Sequence, residues 1–521
     1  MSTHPLIENL LSSKIYGHAV SHLKLIETHI SWVILTGDYA YKIKKSVNFE
    51  FLDFSTLEKR RYYCEEELRL GQQLAPEIYL SVLPITGDSE HPQINGTGPV
   101  LEWAIKMKEF PQKNLLNVLL KQGYLTETII EKLGALLAEF HKNTVIASEE
   151  SRFGLATEVH APTKQNFEQI VSFLSKVADI NRLKCLKNWS DQQYEKNYDL
   201  FVERKKQGFI RNCHGDLHLA NIFLYKDKPV LFDRLEFNED LRWTDVIADL
   251  AFLMMDLTEK KQIGLANVLL NTYLHHTGDY QGLALLPYYL TYRAITRAKI
   301  SLFRLKQELS DKERKEVQND YRGFIALAES YTKAPRPSLI IMHGLAGSGK
   351  TTVAQRIARH CNAIHISSDI IRKQLFHIPL YASSHSSLHS GIYTTTATEE
   401  TYRTLAKLAE VVLKANLTVV VDATFLKQVQ RTAFHELSVQ LQAPFYLLDC
   451  QENSHEIEQR IKNRLHHAVS ISEADLTILS NQKKYREPLT NAEKSYTLVI
   501  DAKQISLEDV FKRICSESTK I

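Results

Sequence analysis

The chain has 521 residues, 44% of them hydrophobic and 24% charged. That length excludes one ordinary hydrophobic core, which stops growing near roughly 250–300 residues, and that balance excludes intrinsic disorder. Lys plus Arg outnumber Asp plus Glu by only 64 to 61, so no broad positive field marks nucleic acid or an anionic membrane as the main partner. The six cysteines, Cys64, Cys185, Cys213, Cys361, Cys450 and Cys515, show none of the close pairs that build zinc sites or disulfide frameworks. Met1 to Leu10 carries Glu8 and no long apolar block, and no stretch approaches the ~18 uncharged apolar residues that cross a bilayer. A reducing, cytoplasmic setting is expected.

In chain order, Trp32 to Thr36 and Tyr39 to Lys44 are β-rich runs joined by Gly37-Asp38, a composition suited to a tight hairpin turn. Ser55 to Leu74 reads as a helix, with Ser55 as N-cap and Glu58 closing a capping box. The next informative segment is His214-Gly215-Asp216-Leu217-His218-Leu219-Ala220-Asn221, followed by the strand Val230-Leu231-Phe232 and Asp233. Phosphoryl transfer needs a positioned acceptor hydroxyl and cations spread over the phosphate oxygens. Asp216 is suited to orient the hydroxyl and take its proton, and Asn221 and Asp233 to hold Mg²⁺, a hard cation that prefers oxygen ligands. His214 and His218 read as braces that hydrogen-bond backbone carbonyls, with a histidine metal pair, or an Asp216 that merely caps a turn, as the competing reading.

HGDLHLAN followed by LFD resembles the catalytic and metal-binding signatures of the aminoglycoside phosphotransferase and choline kinase superfamily. The resemblance implies a two-lobed, α+β protein-kinase-like fold, Asp216 as catalytic base, Asn221 and Asp233 as magnesium ligands, and a small-lobe lysine on the ATP phosphates paired with a helix glutamate. Ala40-Tyr41-Lys42 and Glu67 match that pair. Lys44 shares the strand face of Lys42, so the assignment can shift by one pair, and a solvated edge strand is the alternative. Trp103-Ala104-Ile105-Lys106-Met107-Lys108 resembles the hinge between lobes, which places the adenine near Met107. Asp245 and Asp249, four apart, are expected on one helical face, bracing the catalytic loop. Between Ile15 and Lys42 the only glycines are Gly17 and Gly37. No glycine-rich phosphate lid is evident there, which separates nucleotide binding from turnover for this half.

Lys333-Ala334-Pro335-Arg336-Pro337 marks a boundary between a charged helical region and the apolar strand Leu339-Ile340-Ile341-Met342. It divides the chain into 1–334, with a small lobe to about 108 and a large lobe from 109, and 335–521, where strands and helices alternate as in a parallel sheet covered by helices. Gly344-Leu345-Ala346-Gly347-Ser348-Gly349-Lys350-Thr351-Thr352 satisfies the P-loop pattern between a strand and the helix Thr352 to His360. Its glycines let backbone N–H groups curl around phosphates, Lys350 reaches the outer phosphates and Thr351 offers its hydroxyl to Mg²⁺. The strand Ala363 to Ile366 delivers Asp369 and Arg372 to one helical face, suited to activate a hydroxyl and hold an anionic group of the acceptor. The biased stretch Ser383 to Ser390 reads as a loop. Leu417 to Val421 ends in Asp422, at the sheet edge where ligands bind, which suits magnesium support through water. Arg460 and Arg464, one turn apart, suit lid arginines over the phosphates, with a solvated surface turn as the competing reading.

GLAGSGKTT, SSDIIRKQL, VVVDATF and RIKNR resemble the polynucleotide kinase, gluconate kinase and zeta toxin branch of P-loop kinases. That resemblance implies an α/β P-loop NTPase domain that transfers phosphate to a hydroxyl, with Asp369 as base. The order of the two halves is similar to fused proteins described as bifunctional aminoglycoside phosphotransferase and ATP-binding proteins. The expectation is a phosphotransferase using ATP or GTP with Mg²⁺ and a small-molecule hydroxyl acceptor, with no membrane partner and nucleic acid not the main one. Two alternatives stay open: one half binds nucleotide without catalysis and regulates the other, or the P-loop half phosphorylates a nucleic-acid end or a nucleotide sugar.

Overall fold

The computed structural model describes residues 4–49, 52–306, 309–333, 336–382, 384, 391–466, 475–501 and 507–518. The boundary expected at 334/335 and most of the loop expected at 383–390 lie outside the described residues. Compactness divides the chain into two units that do not follow chain order. Met1–Leu136, Asn143–Val159 and Asp199–Asp256 form the first, and Leu137–Lys142, His160–Tyr198 and Leu257–Ile521 the second.

In the first unit, β1 (Lys24–Glu27), β2 (Ser31–Leu35) and β3 (Tyr39–Lys44) form an antiparallel meander. The hairpin β4 (Asn48–Phe49) and β5 (Leu52–Asp53) leads to the helix Leu57–Leu74. β6 (Tyr79–Gly87), β7 (Pro92–Ile94) and β8 (Val100–Lys108) complete a six-stranded sheet in the order β1-β2-β3-β8-β6-β7. β3 is thus an interior strand, which overturns the solvated-edge alternative for its lysines; Lys44 is fully buried. The expected hairpin at Gly37-Asp38 is present.

Helix Leu57–Leu74 turns Arg60, Cys64, Glu67, Leu70 and Gly71 inward, a stripe at helical spacing that backs β6 and β8. Its N-cap is Thr56, whose hydroxyl accepts from Lys59 N, rather than Ser55; element ends are the least determined part of a local pattern. Gly71 is required by close approach, because a Cβ there would lie 2.5 Å from the Tyr79 ring. Buried charges must be paired: Arg60 Nε donates to Glu102 at 2.8 Å, and Glu67 meets both β3 lysines.

The rest of this unit builds the loop that carries Asp216. β9 (Ile210–Asn212) is followed by the loop, the hairpin β10 (Ile222–Tyr225) and β11 (Lys228–Leu231), and β12 (Trp243–Asp245), which pairs back onto β9. Asp245 is the last residue of β12 and Asp249 lies in the helix Val246–Glu259, so the expected shared helical face is wrong. Asp249 does brace the loop, accepting from His214 N at 3.1 Å and Gly215 N at 2.9 Å. Asp245 instead takes a two-pronged ion pair from Arg204, at 2.7 and 2.8 Å. Both side chains are buried. Arg204→Met therefore leaves an uncompensated carboxylate, and chemical denaturation should show a loss of about 3–5 kcal/mol; a loss below about 1 kcal/mol, the value of a surface pair, would contradict this.

The second unit holds the parallel sheet with β13 (Leu339–His343), β14 (Ile364–Ser367), β15 (Val419–Asp422), β16 (Phe445–Gln451) and β17 (Thr497–Asp501) in the order β14-β15-β13-β16-β17. The strands are short and mostly apolar, as expected where both faces are covered. Ile340, Met342, Val420 and Leu448 pack with Ala354, Ile357 and Ala358 of the helix Lys350–His360. The helices Val177–Lys196, Ile263–Thr277, Leu286–Phe303 and Asp311–Tyr331 belong to the same unit.

Candidate functional site

The first constellation assembles where β3, the helix Leu57–Leu74 and the Asp216 loop meet. Lys42 Nζ donates to Glu67 at 2.8 Å and to Asp233 at 2.5 Å. Lys44 Nζ reaches the other Glu67 oxygen at 2.7 Å and also Glu236. Glu67 thus bridges the two lysines, and of the two only Lys42 meets Asp233. Burial alone would raise the Glu67 carboxyl, but the two ammonium groups outweigh it and hold the pKa at about 2. Burial would likewise lower Lys42, but Asp233, Glu67 and Glu236 raise it well above its ordinary value. Burial pushes Glu236 up, against the pull of Lys44.

Because Glu67 is depressed from 4.5 to about 2, its contribution to stability is complete above pH 4.5 and is lost as pH falls toward 2. Glu67→Gln should lower the thermal midpoint at neutral pH and lose less than the parent between pH 4.5 and 2, so the two curves converge in acid. Parallel curves would show that Glu67 carries no such linkage.

Asp233 follows β11 with φ +58°, a left-handed conformation uncommon for a residue with a side chain and concentrated at functional sites. Its N–H donates to the Tyr79 hydroxyl at 2.9 Å, which fixes the turn. Asn221 Nδ2 donates to the Asp216 backbone oxygen at 3.0 Å and to Asp216 Oδ2 at 3.2 Å. That leaves its carbonyl oxygen as the atom a hard cation would take. The oxygens of Asn221 and Asp233 are of the type that fits a divalent cation, and the Lys42 ammonium pairs with Asp233. His214 braces the loop as expected, its Nε2 donating to Phe232 O at 2.9 Å. His218 does so differently: its Nδ1 accepts from Ala220 N, and its Nε2 lies 3.5 Å from Asp216 Oδ2. Met107 sits within β8, opposite Ala40 and Tyr79, so the segment read as a hinge is the end of a sheet strand.

In the second unit, the loop between β13 and the helix Lys350–His360 is a phosphate cradle. Gly344 and Gly347 adopt φ +139° and +83°. A Cβ at Gly344 would lie 2.7 Å from Cys450 O, and one at Gly347 3.1 Å from Ile457 O. Only glycine fits these positions. Ser348 Oγ is buried without a partner among the described residues, and Lys350 Nζ folds back to Leu345 O at 2.7 Å. This cradle fits the phosphates of a nucleotide.

Gly347, Gly349, Lys350, Thr351 and Thr352 line one cavity of about 980 Å³ together with Asp369, Arg372, Asp422 and Arg460. Arg372 is 8% exposed and donates to Ile392 O at 2.7 Å. Burial alone would raise Asp422, but the His365 hydrogen bond, the Lys350 ammonium and the Thr351 hydroxyl hold it below the ordinary carboxylate value. Arg460 pairs with Glu452 at 2.8 Å. Arg464 lies in the helix Ser454–His466, and its side chain is outside the described residues.

Glu236, Tyr79, His365 and Gln482, whose Oε1 accepts from Ala346 N at 2.8 Å, were not foreseen. Only His365 gave a local signal, as a polar residue inside the apolar run Ala363 to Ile366.

Residues 63–286 match the family described as phosphotransferase enzyme family, and residues 339–489 the family described as AAA domain. The chain joins a phosphotransferase-like domain, matched over 63–286, to a P-loop domain, matched over 339–489. The phosphotransferase domain holds Asp216, Asn221 and Asp233 within its matched residues, and the P-loop domain holds Lys350, Asp369 and Asp422. An uncharacterized protein of Mycobacterium tuberculosis (strain ATCC 25618 / H37Rv) is 28% identical over 442 residues, 84% of this chain and 85% of its own length. A choline/ethanolamine kinase family protein from Mesorhizobium loti is 11% identical, with 63% of this chain and 97% of that chain covered at a TM-score of 0.40. A gluconokinase from Sinorhizobium meliloti 1021 is 20% identical, with 35% and 90% covered at a TM-score of 0.24. Among the described residues, no helix is long and apolar enough to cross a membrane.

Proposed function

We propose that the chain is an ATP-dependent phosphotransferase with two nucleotide-binding modules, each passing the terminal phosphoryl group of ATP or GTP to a hydroxyl of a small molecule. The observation that carries this reading is the cavity of about 980 Å³ lined both by the P-loop and by Asp369 and Arg372. It is of a size to hold a nucleotide beside a small acceptor. In the P-loop domain Asp369 takes the proton of the acceptor hydroxyl, whose oxygen bonds to the γ-phosphorus as the bond to the β,γ-bridging oxygen breaks. Lys350 and Arg460 neutralise charge on the phosphates, and Arg372 holds an anionic group of the acceptor. In the phosphotransferase domain Asp216 is the base and Lys42, steadied by Glu67, holds the phosphates. Thr351 and Asp422 would hold magnesium in one domain, and Asn221 and Asp233 in the other, where the ion screens phosphate charge. Five described cysteines are free thiols, which supports residence in the reducing cytoplasm.

The test is label transfer from γ-labelled ATP by the full chain with Mg²⁺, against pooled hydroxyl metabolites, aminoglycosides and oligonucleotides. Asp216→Asn and Lys350→Ala assign each labelled product to a domain. A chain that binds no purine triphosphate in the presence of Mg²⁺ would sink the proposal. Labelled oligonucleotide alone would favour a nucleic-acid end as acceptor, and a domain that binds nucleotide but labels nothing would be a regulatory module.

A further inference from the structure

An edge strand leaves a row of backbone N–H and C=O groups without strand partners, and β14 is the edge of the parallel sheet. Its outer groups are met by a helix. In Ile263–Thr277, Asn267 Nδ2 donates to Ala363 O at 2.9 Å, and Asn271 Nδ2 reaches the same oxygen at 3.1 Å. Asn271 Oδ1 accepts from His365 N at 2.7 Å. His275 Nε2 donates to His365 O at 3.0 Å. Residues four apart on a helix rise about 6 Å, close to the roughly 6.6 Å between alternate residues of a strand, so one helical face reads successive outer groups of β14 as a neighbouring strand would. Asn267, Asn271 and His365 are buried, where each missed hydrogen bond is costly.

The ladder ends at the P-loop site. The His365 imidazole Nε2 lies 3.4 Å from Asp422 Oδ2, Asp422 is buried and lines the cavity together with Thr351, and β14 runs straight into the helix Ser368–Leu375 that carries Asp369. Gln374 of that helix donates back to His275 O at 2.9 Å. We propose that Asn271 and His275, contributed by a helix within the residues matched to the phosphotransferase family, are positioning residues for the P-loop domain. They fix the backbone of β14 so that His365 orients the Asp422 carboxylate toward the Thr351 hydroxyl. The P-loop domain is on this view completed by a helix from the preceding half of the chain, and its response to magnesium depends on that helix. The inference rests on the reading of Asp422 as a support for magnesium.

The test uses the full chain in a Lys42→Met background, so that ADP binding reports the P-loop domain, with calorimetry in the presence and absence of Mg²⁺. Asp422→Ala should abolish the tightening of ADP binding by Mg²⁺. If it does not, the reading of Asp422 fails, and the inference with it. His275→Leu should cost about tenfold of that tightening, as loss of an outer-shell partner typically does, and leave ADP affinity without Mg²⁺ unchanged. His275→Gln, which keeps an N–H near the His365 carbonyl, should restore it. His365→Leu, which removes the imidazole and leaves the ladder, should reproduce the loss even where His275→Leu folds poorly. Equal weakening with and without Mg²⁺, or full tightening in both leucine variants while Asp422→Ala abolishes it, would overturn the proposal.

Discussion

Asp216→Asn should lower phosphoryl transfer by the phosphotransferase domain about 10²–10⁴-fold, the usual worth of a positioned general base, with nucleotide affinity retained. Asn is isosteric with Asp and still accepts the 3.2 Å hydrogen bond from Asn221 Nδ2. The backbone bond from the same Nδ2 to residue 216 is untouched by the change. What Asn cannot do is take a proton. The expected signature is therefore a fall in kcat with little change in KM for the nucleotide, measured by release of ADP until the acceptor is known. Lys42, Glu67 and Asp233 keep their contacts with one another and do not use Asp216. A fall in nucleotide affinity as large as the fall in kcat would mean that Asp216 shapes the loop rather than accepting the proton, and full turnover would remove it from the chemistry.

Lys350→Ala should have the largest effect in the P-loop domain: about 10–100-fold in nucleotide affinity, the worth of a charge-assisted hydrogen bond, and about 10²–10³-fold in turnover, as for loss of one group aimed at transition-state charge. Lys350 is 8% exposed and packed over the loop through Leu345 O. Its charge also helps to hold the Asp422 carboxylate ionised. On the proposed function the substitution removes the cation over the outer phosphates, and it also weakens the counter-charge of a buried acid. Equilibrium binding of a fluorescent ATP analogue to the full chain in the Lys42→Met background reads the first effect, and ADP release the second. Affinity and turnover that both match the parent would exclude the P-loop from catalysis.

The legible parts of this molecule were the local ones. Gly344 to Thr352 and His214 to Asn221 are runs in which backbone geometry and side-chain chemistry are specified within one turn of chain, so their roles could be proposed from spacing alone. Elements were found to within a few residues. The apolar strand beginning at Leu339 runs one residue further than expected, to His343, and the helix expected from Thr352 begins at Lys350. Where competing local patterns were nearly equal, the reading slipped. Thr56 took the cap expected of Ser55, because adjacent hydroxyl residues offer the same chemistry. Asp245 ended a strand instead of joining Asp249 on a helix, because the pairing of β12 with β9 is a long-range event that a four-residue spacing cannot register.

By itself the sequence determined that two motifs of phosphate-handling pattern lie in one chain and that strands and helices alternate in the second half, and the resemblance it carries led to the expectation that Lys42, Glu67, Asp216 and Asp233 share one site. Tertiary structure alone decided that Glu67 bridges both β3 lysines and that Glu236 serves Lys44. It also decided that a helix bearing Asn271 and His275 lines the outer edge of β14. The physical reason is the same in each case. A buried charge or an edge-strand amide requires a partner, but the chain says only that one must exist. Which partner it is, at separations of 23, 94 and 192 residues, depends on the packing that brings distant elements together.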